Sequence, residues 1–133
     1  MIDVLISVSS ARSAALAAAG GPIPPPMKAR ALIDTGASHT CVDPVVVSNL
    51  SLSATGVIPM ITPSTGSTPI NCNQYDVQVS LVHADHTLVL DAVPVTESQL
   101  QQAQGFEMLL GRDILSKCVL VYHGDINLYS LSF

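Results

Sequence analysis

The stretch RALIDTGASHT, Arg30–Thr40, sets one acidic residue directly after an apolar run and follows it with Thr, Gly, Ala and Ser. Charged residues make up only 11% of the chain, so a carboxylate at the end of what reads as a buried strand is a costly placement. Gly36 permits a turn that a residue with a Cβ would resist, which presents Asp34 at the strand end. Two roles fit it. Asp34 either caps the following turn through its own side chain, as Asp does in many loops, or is a reacting acid.

The rest of the chain narrows the choice. With 133 residues, a single domain with a real core is expected, and neither metal nor disulfide staples are needed to hold it. Hydrophobic residues reach 48% and mean hydropathy is +0.46, so much of the surface belongs in a core or against a partner, which favours an oligomer. The longest apolar runs are interrupted by Asp, Ser, Pro or Gly well short of the ~20 residues of a membrane span. Asp3 stands where a signal peptide would be basic, so the N-terminus reads as mature protein and the expected location is cytoplasmic. Lys and Arg total 5 against 10 for Asp and Glu, a net charge of −5 that argues against nucleic acid or an anionic membrane as partner. Cys41, Cys72 and Cys118 show no CxxC spacing and are odd in number, so they read as small buried hydrophobes rather than a disulfide framework or zinc site.

Alternation and β-branched content dominate the pattern. IDVLISV (2–8) alternates and reads as a strand, and KARALID (28–34) as another. Between them, residues 9–27 read as an Ala- and Pro-rich insertion, an extended exposed loop with a short helical turn possible over 12–19. DPVVVSNL reads as a short helix, with Asp43 as N-cap and Pro44 at the first helical position. GVIPMIT and PINCNQYDVQVSLV flank PSTGS (63–67), a hairpin turn. HADH (83–86) is a further tight turn before TLVLDAVPV; its two histidines lack further ligands nearby and read as solvated. TESQLQQAQG is loop or a weak helical turn, FEMLLG a strand, RDILSKC a short helix, and VLVYHGD with INLYSLSF a hairpin turning at Gly124–Asp125. The second half looks like a degenerate copy of the first.

ALIDTGAS at Ala31–Ser38 together with LLGRDIL at Leu109–Leu115 resembles the retropepsin-type aspartic proteases, single-lobed enzymes that include the retroviral proteases. QYD at Gln74–Asp76, just after the PSTGS hairpin, is similar to the segment that leaves the flap in the retroviral enzymes. The resemblance implies an all-β fold, a closed barrel-like half-lobe with one or two short helices and a flap hairpin. It implies an aspartic endopeptidase without cofactor, in which Asp34 is catalytic, Thr35 locks two active-site loops together through hydroxyl-to-backbone bonds, and Gly36 lets the backbone approach the substrate. Ala37, Ser38 and His39 would line the cleft and pair with an extended peptide, although ordinary loop polarity accounts for Ser38 and His39 equally well. Thr65, Gly66 and Ser67 would sit near the flap tip over the substrate, the plainer alternative being a surface hairpin. Gly111, Arg112 and Asp113 would be structural.

Aspartic protease chemistry needs two carboxylates sharing one proton, because like charges at about 3 Å cannot both ionise. This chain has one Asp-Thr-Gly and is too short for two lobes, so the second Asp34 is expected from a second copy in a symmetric homodimer acting on a peptide or protein substrate. NLYSLSF is the candidate interface strand, with the N-terminal strand as second choice. Retroviral enzymes usually carry an acid where this chain has Ser38, paired to the arginine matching Arg112. That pair cannot form here, which leaves Asp113 or Asp43 as candidate partners of Arg112. A competing reading keeps the fold but makes it a dimerising or peptide-binding module with weak or no proteolysis.

Overall fold

A computed structural model describes residues 1–62 and 65–133. The elements run β1 (Ile2–Val8), α1 (Ser10–Ala18), β2 (Met27–Ile33), β3 (Cys41–Val42), α2 (Pro44–Asn49), β4 (Gly56–Met60), β5 (Ile70–His83), β6 (His86–Glu97), α3 (Gln101–Gln104), β7 (Met108–Leu110), α4 (Arg112–Leu115), β8 (Val119–His123) and β9 (Leu128–Ser132). The first seven strands form one sheet in the order β1-β2-β7-β3-β6-β5-β4, and an extra pairing of β1 with β5 closes six of them into a barrel. This is the all-β half-lobe with short helices that the sequence leads one to expect.

Alternation explains the closure. Val4, Ile6 and Val8 of β1, Ala29 and Ala31 of β2, Val77, Val79 and Leu81 of β5, and Val93 and Val95 of β6 all face one buried core with Met108, Leu110 and Ile114. Fully burying each Val, Leu or Ile contributes roughly 1.5–3 kcal/mol relative to exposure. The register shifts between Val77 and Val79 of β5, where Asp91 and Ala92 of β6 stand opposite; Ala92 has φ 52. Such a bulge bends and twists the sheet, as closing it requires.

β5 has fourteen residues and spends one edge on two partners. Val77–Leu81 pairs with β1 inside the barrel, while Ile70–Gln74 pairs with β4. On its other edge β6 reaches only from His83 back to Gln74, so Ile70–Asn73 and β4 form a two-stranded arm beyond the barrel wall. Its turn includes Thr65, Gly66 and Ser67; Pro63 and Ser64 of the expected PSTGS tip lie outside the described residues.

Among the described residues four helical segments occur rather than one or two, although α3 and α4 have four residues each. Residues 10–18 are a helix and not extended loop: Ser9 caps it by accepting from the Arg12 amide at 3.2 Å, its Ala-rich interior has high helix propensity, and Gly20 (φ 69) ends it. α2 carries the expected Asp43 cap and Pro44 start. β8 and β9 make a separate hairpin, turning over 124–127 with Asn127 at φ 50. Leu131 and Phe133 pack on the core, and the Phe133 ring stacks on His86 at 5.8 Å, which gives that histidine a packing role. Among the described residues no helix is long and apolar enough to cross a membrane.

Candidate active site

The Asp34 loop is shaped by an interruption in strand order. β2 and β3, which flank it, are not neighbours: β7 lies between them, parallel to β2 (Ile33↔Leu110) and antiparallel to β3 (Cys41↔Leu109). Residues 34–40 therefore arch over the end of β7. The Asp34 amide continues the β2–β7 ladder by donating to the Leu110 carbonyl at 3.0 Å, and at the other side the Arg112 amide donates to the Ala37 carbonyl at 2.9 Å.

Asp34 itself is half-buried. Its Oδ1 accepts from the Gly36 amide at 2.8 Å and the Ala37 amide at 3.2 Å, so the turn-capping role is real. Among the described residues Oδ2 accepts nothing, and one carboxylate oxygen remains available for chemistry. A Cβ at Gly36 would lie 3.1 Å from Oδ1, so a side chain there would push the carboxylate by a few tenths of an ångström. The two roles considered for Asp34 are thus compatible, because the first oxygen orients the second.

Gly111 has an ordinary φ of −86 and is needed for space. A Cβ at this position would fall 2.5 Å from the His39 carbonyl carbon and 2.6 Å from its oxygen, where the loop crosses the end of β7. Around this crossing lies a network in which Thr40 is central and fully buried. Thr40 Oγ1 donates to Asp113 Oδ1 at 2.7 Å and accepts from the Gly111 amide at 3.1 Å, while the Thr40 amide donates to Asp113 Oδ2 at 2.9 Å. Asp113 Oδ1 also takes the Ile114 amide at 2.9 Å. Sequence reasoning named Gly111 and Asp113 but missed Thr40, whose signal was a hydroxyl closing the motif on the edge of a buried CV strand.

Neither proposed partner of Arg112 pairs with it. Asp113 is engaged with Thr40, and Asp43 accepts from the amides of Val45 (3.0 Å), Leu100 (2.8 Å) and Gln101 (2.7 Å), joining the start of α2 to that of α3. Burial acts to raise the Asp43 pKa, but the three amides together outweigh it and hold the carboxyl below the ordinary range. The one salt bridge among the described residues joins Lys28 to Asp3, and Arg112 is exposed.

Ala37 is half-buried; Thr35, Ser38 and His39 are exposed on the loop, with Ser38 Oγ and His39 Nδ1 2.9 Å apart. On the arm, the Thr65 hydroxyl donates to the Thr62 carbonyl at 3.0 Å and accepts from its amide at 2.8 Å, so it is committed within its own turn. Gly66 (φ 62) and Ser67 are exposed. Next to the loop, Cys41 is buried with its sulfur 3.2 Å from Thr96 Oγ1, and burial raises the thiol's pKa, an environment for packing rather than nucleophilic attack.

No family model matches the chain, and no curated protein does. Among solved structures it is similar to the retroviral protease-like domain of Ddi1 from Leishmania major, at 13% identity and a TM-score of 0.45, over 98% of this chain and 87% of that one.

Proposed function

We propose that the chain is an aspartic endopeptidase of the retropepsin type, active as a homodimer. The observation that carries this reading is the state of Asp34: one oxygen is held by two loop amides, the other is free, and the loop is fastened at both ends to the strand beneath it. A carboxylate held this way keeps its orientation without being neutralised by a cation. Two such loops meeting at a two-fold axis would bring the free oxygens around one water. The ionised acid takes the water's proton as general base while the protonated one donates to the scissile carbonyl oxygen.

The Thr35 hydroxyl, exposed on the loop tip, is available to bond the partner's loop. The β4–β5 arm would fold over an extended peptide and exclude water, with backbone rather than Thr65 side-chain contacts. Support for a second copy comes from the C-terminal hairpin, where Val119 (63%), Tyr122 (66%), Ile126 (59%) and Leu128 (59%) are exposed. Tyr129 also donates to the Met1 carbonyl at 2.8 Å, which sets the N-terminus beside this hairpin, so both candidate interface strands share one region.

The test is cleavage-site profiling on denatured proteome peptides with Asp34→Asn as control. Cleavage at acidic to near-neutral pH, lost in the variant while dimerisation persists, is expected. Peptide binding by the wild type without any cleavage would instead make it a binding module.

A further inference from the structure

The geometry points to a second surface, unrelated to Asp34: we propose that Pro22–Pro26 is a preformed polyproline II ligand for a partner whose groove is lined by aromatic side chains and rimmed by carboxylates. The burial of this segment repeats every third residue. Gly21, Pro24 and Met27 are half-buried, whereas Pro22, Ile23, Pro25 and Pro26 are exposed. Three residues per turn is the period of polyproline II, so one ridge faces the protein and two face outward. The sequence enforces that conformation, since proline fixes its own φ and Gly21, Ile23, Pro24 and Pro25 each precede a proline.

Pro24 faces Ser13, Ala14 and Ala17 of α1 across an open cleft of about 460 Å³, which Ile23 and Pro26 also border. Both ends are anchored: the Gly21 amide donates to the Leu16 carbonyl at 2.9 Å at the end of α1, and β2 begins its register with β1 at Ile6↔Met27. Folding has therefore already met the entropic cost of straightening the segment, which in a free peptide would oppose binding. Grooves that read polyproline II take two ridges on aromatic rings, and the outward ridges 22/25 and 23/26 are what such a groove accepts. Charge adds direction. Lys28 and Arg30, two of the five cationic residues in a chain of net charge −5, follow the run on the exposed face of β2. Lys28 pairs with Asp3, an exposed ion pair that a partner carboxylate can replace, and Glu107 lies on the same face, accepting from the Arg30 amide at 2.8 Å.

The chain contains no Trp, so tryptophan emission in a mixture reports only the partner. The intact chain is titrated into purified SH3, WW and EVH1 domains that carry a groove Trp. A saturable emission change with at least one of them is expected. Its dissociation constant should rise about tenfold or more in Pro22→Ala/Pro25→Ala and severalfold in Lys28→Glu/Arg30→Glu, and stay unchanged in Asp34→Asn. Circular dichroism verifies that each variant is folded, and a synthetic peptide of residues 20–30 should bind more weakly than the chain. No emission change with any domain up to about 1 mM chain, a proline variant that binds like the wild type, or a peptide that binds better than the folded chain would overturn the proposal. Because Asp34→Asn binds normally if the proposal holds, its outcome is separate from that of the protease reading.

Discussion

Replacing Gly111 by Ala tests whether the Asp34 loop is held by steric fit or by loop conformation. The added methyl would lie 2.5 Å, 2.6 Å and 3.0 Å from the carbonyl carbon, oxygen and amide nitrogen of His39. Ordinary carbon contacts are about 3.5–4.0 Å, so the overlap is roughly 1 Å. All three atoms are backbone, which leaves no side chain to rotate away. Overpacking of this kind costs about 1–3 kcal/mol. Relief by moving the backbone would strain the Gly111 amide bond to Thr40 (3.1 Å) and the Arg112 amide bond to Ala37 (2.9 Å), each worth about 1 kcal/mol net. The sum is about 3–5 kcal/mol. At the entropy of unfolding typical for this chain length, that corresponds to a melting temperature lower by roughly 10–18 °C. Urea denaturation at one fixed protein concentration, with m unchanged, gives the value directly. Gly105→Ala is the contrast: nothing lies within 4 Å but φ is 76, so its cost is conformational alone, about 1–2 kcal/mol. A Gly111→Ala protein within about 0.5 kcal/mol of wild type would refute the account of why Leu-Leu-Gly ends in glycine.

Asp34→Asn should abolish peptide cleavage while changing stability by less than about 1 kcal/mol, since the amide oxygen can still accept from Gly36 and Ala37; near-wild-type turnover would remove Asp34 from the chemistry. A double-mutant cycle of Thr40→Val and Asp113→Ala should give a coupling energy of about 2 kcal/mol, because both changes remove the same charge-assisted bond from the Thr40 hydroxyl to Asp113 Oδ1; additive effects would dissolve the network. Asp43→Asn should cost about 2 kcal/mol near neutral pH. Its folded pKa is depressed, so the wild-type advantage is fully present above the ordinary carboxylate pKa and fades as pH falls from that value through the lower folded one; a loss that is constant with pH would mean the charge is not what matters. Specific activity per chain should fall on dilution below the dimer dissociation constant, and a flat profile from monomers would contradict a shared site.

The strands were legible because they alternate: Val4, Ile6 and Val8, or Val77, Val79 and Leu81, declare one buried face without reference to anything distant, whereas closure into a barrel was implied only by the family resemblance. α2 was legible through Asp43 and Pro44, whose signals are local. α1 was only partly read, as a possible short turn over 12–19 within a loop, because the prolines that follow it dominated the reading, although Ser9 and the alanines carry a nine-residue helix. Thr40 was missed for a different reason. Its importance comes from Asp113, seventy-three residues away, and from a strand that inserts between its own flanking strands, neither of which leaves a trace in periodicity. The guess that Asp113 or Asp43 would pair with Arg112 went wrong in the same way: opposite charge suggested a partner, but backbone amides had already claimed both carboxylates.

The insertion of β7 between β2 and β3 bears on how the protein breathes. A loop closed by a hairpin can fray from its tip, whereas residues 34–40 are joined to β7 from both sides and β7 is itself an interior strand of the barrel. The amides of Asp34, Thr40 and Gly111 are thus predisposed to exchange with solvent deuterium only when the barrel opens, at a rate set by global unfolding. The β4–β5 arm, paired along a single edge beyond the barrel, belongs to the opposite regime and can open without disturbing them. Exchange should therefore be slow in the Asp34 loop and fast in the β4–β5 arm, with the boundary in a single strand, at Gln74 of β5.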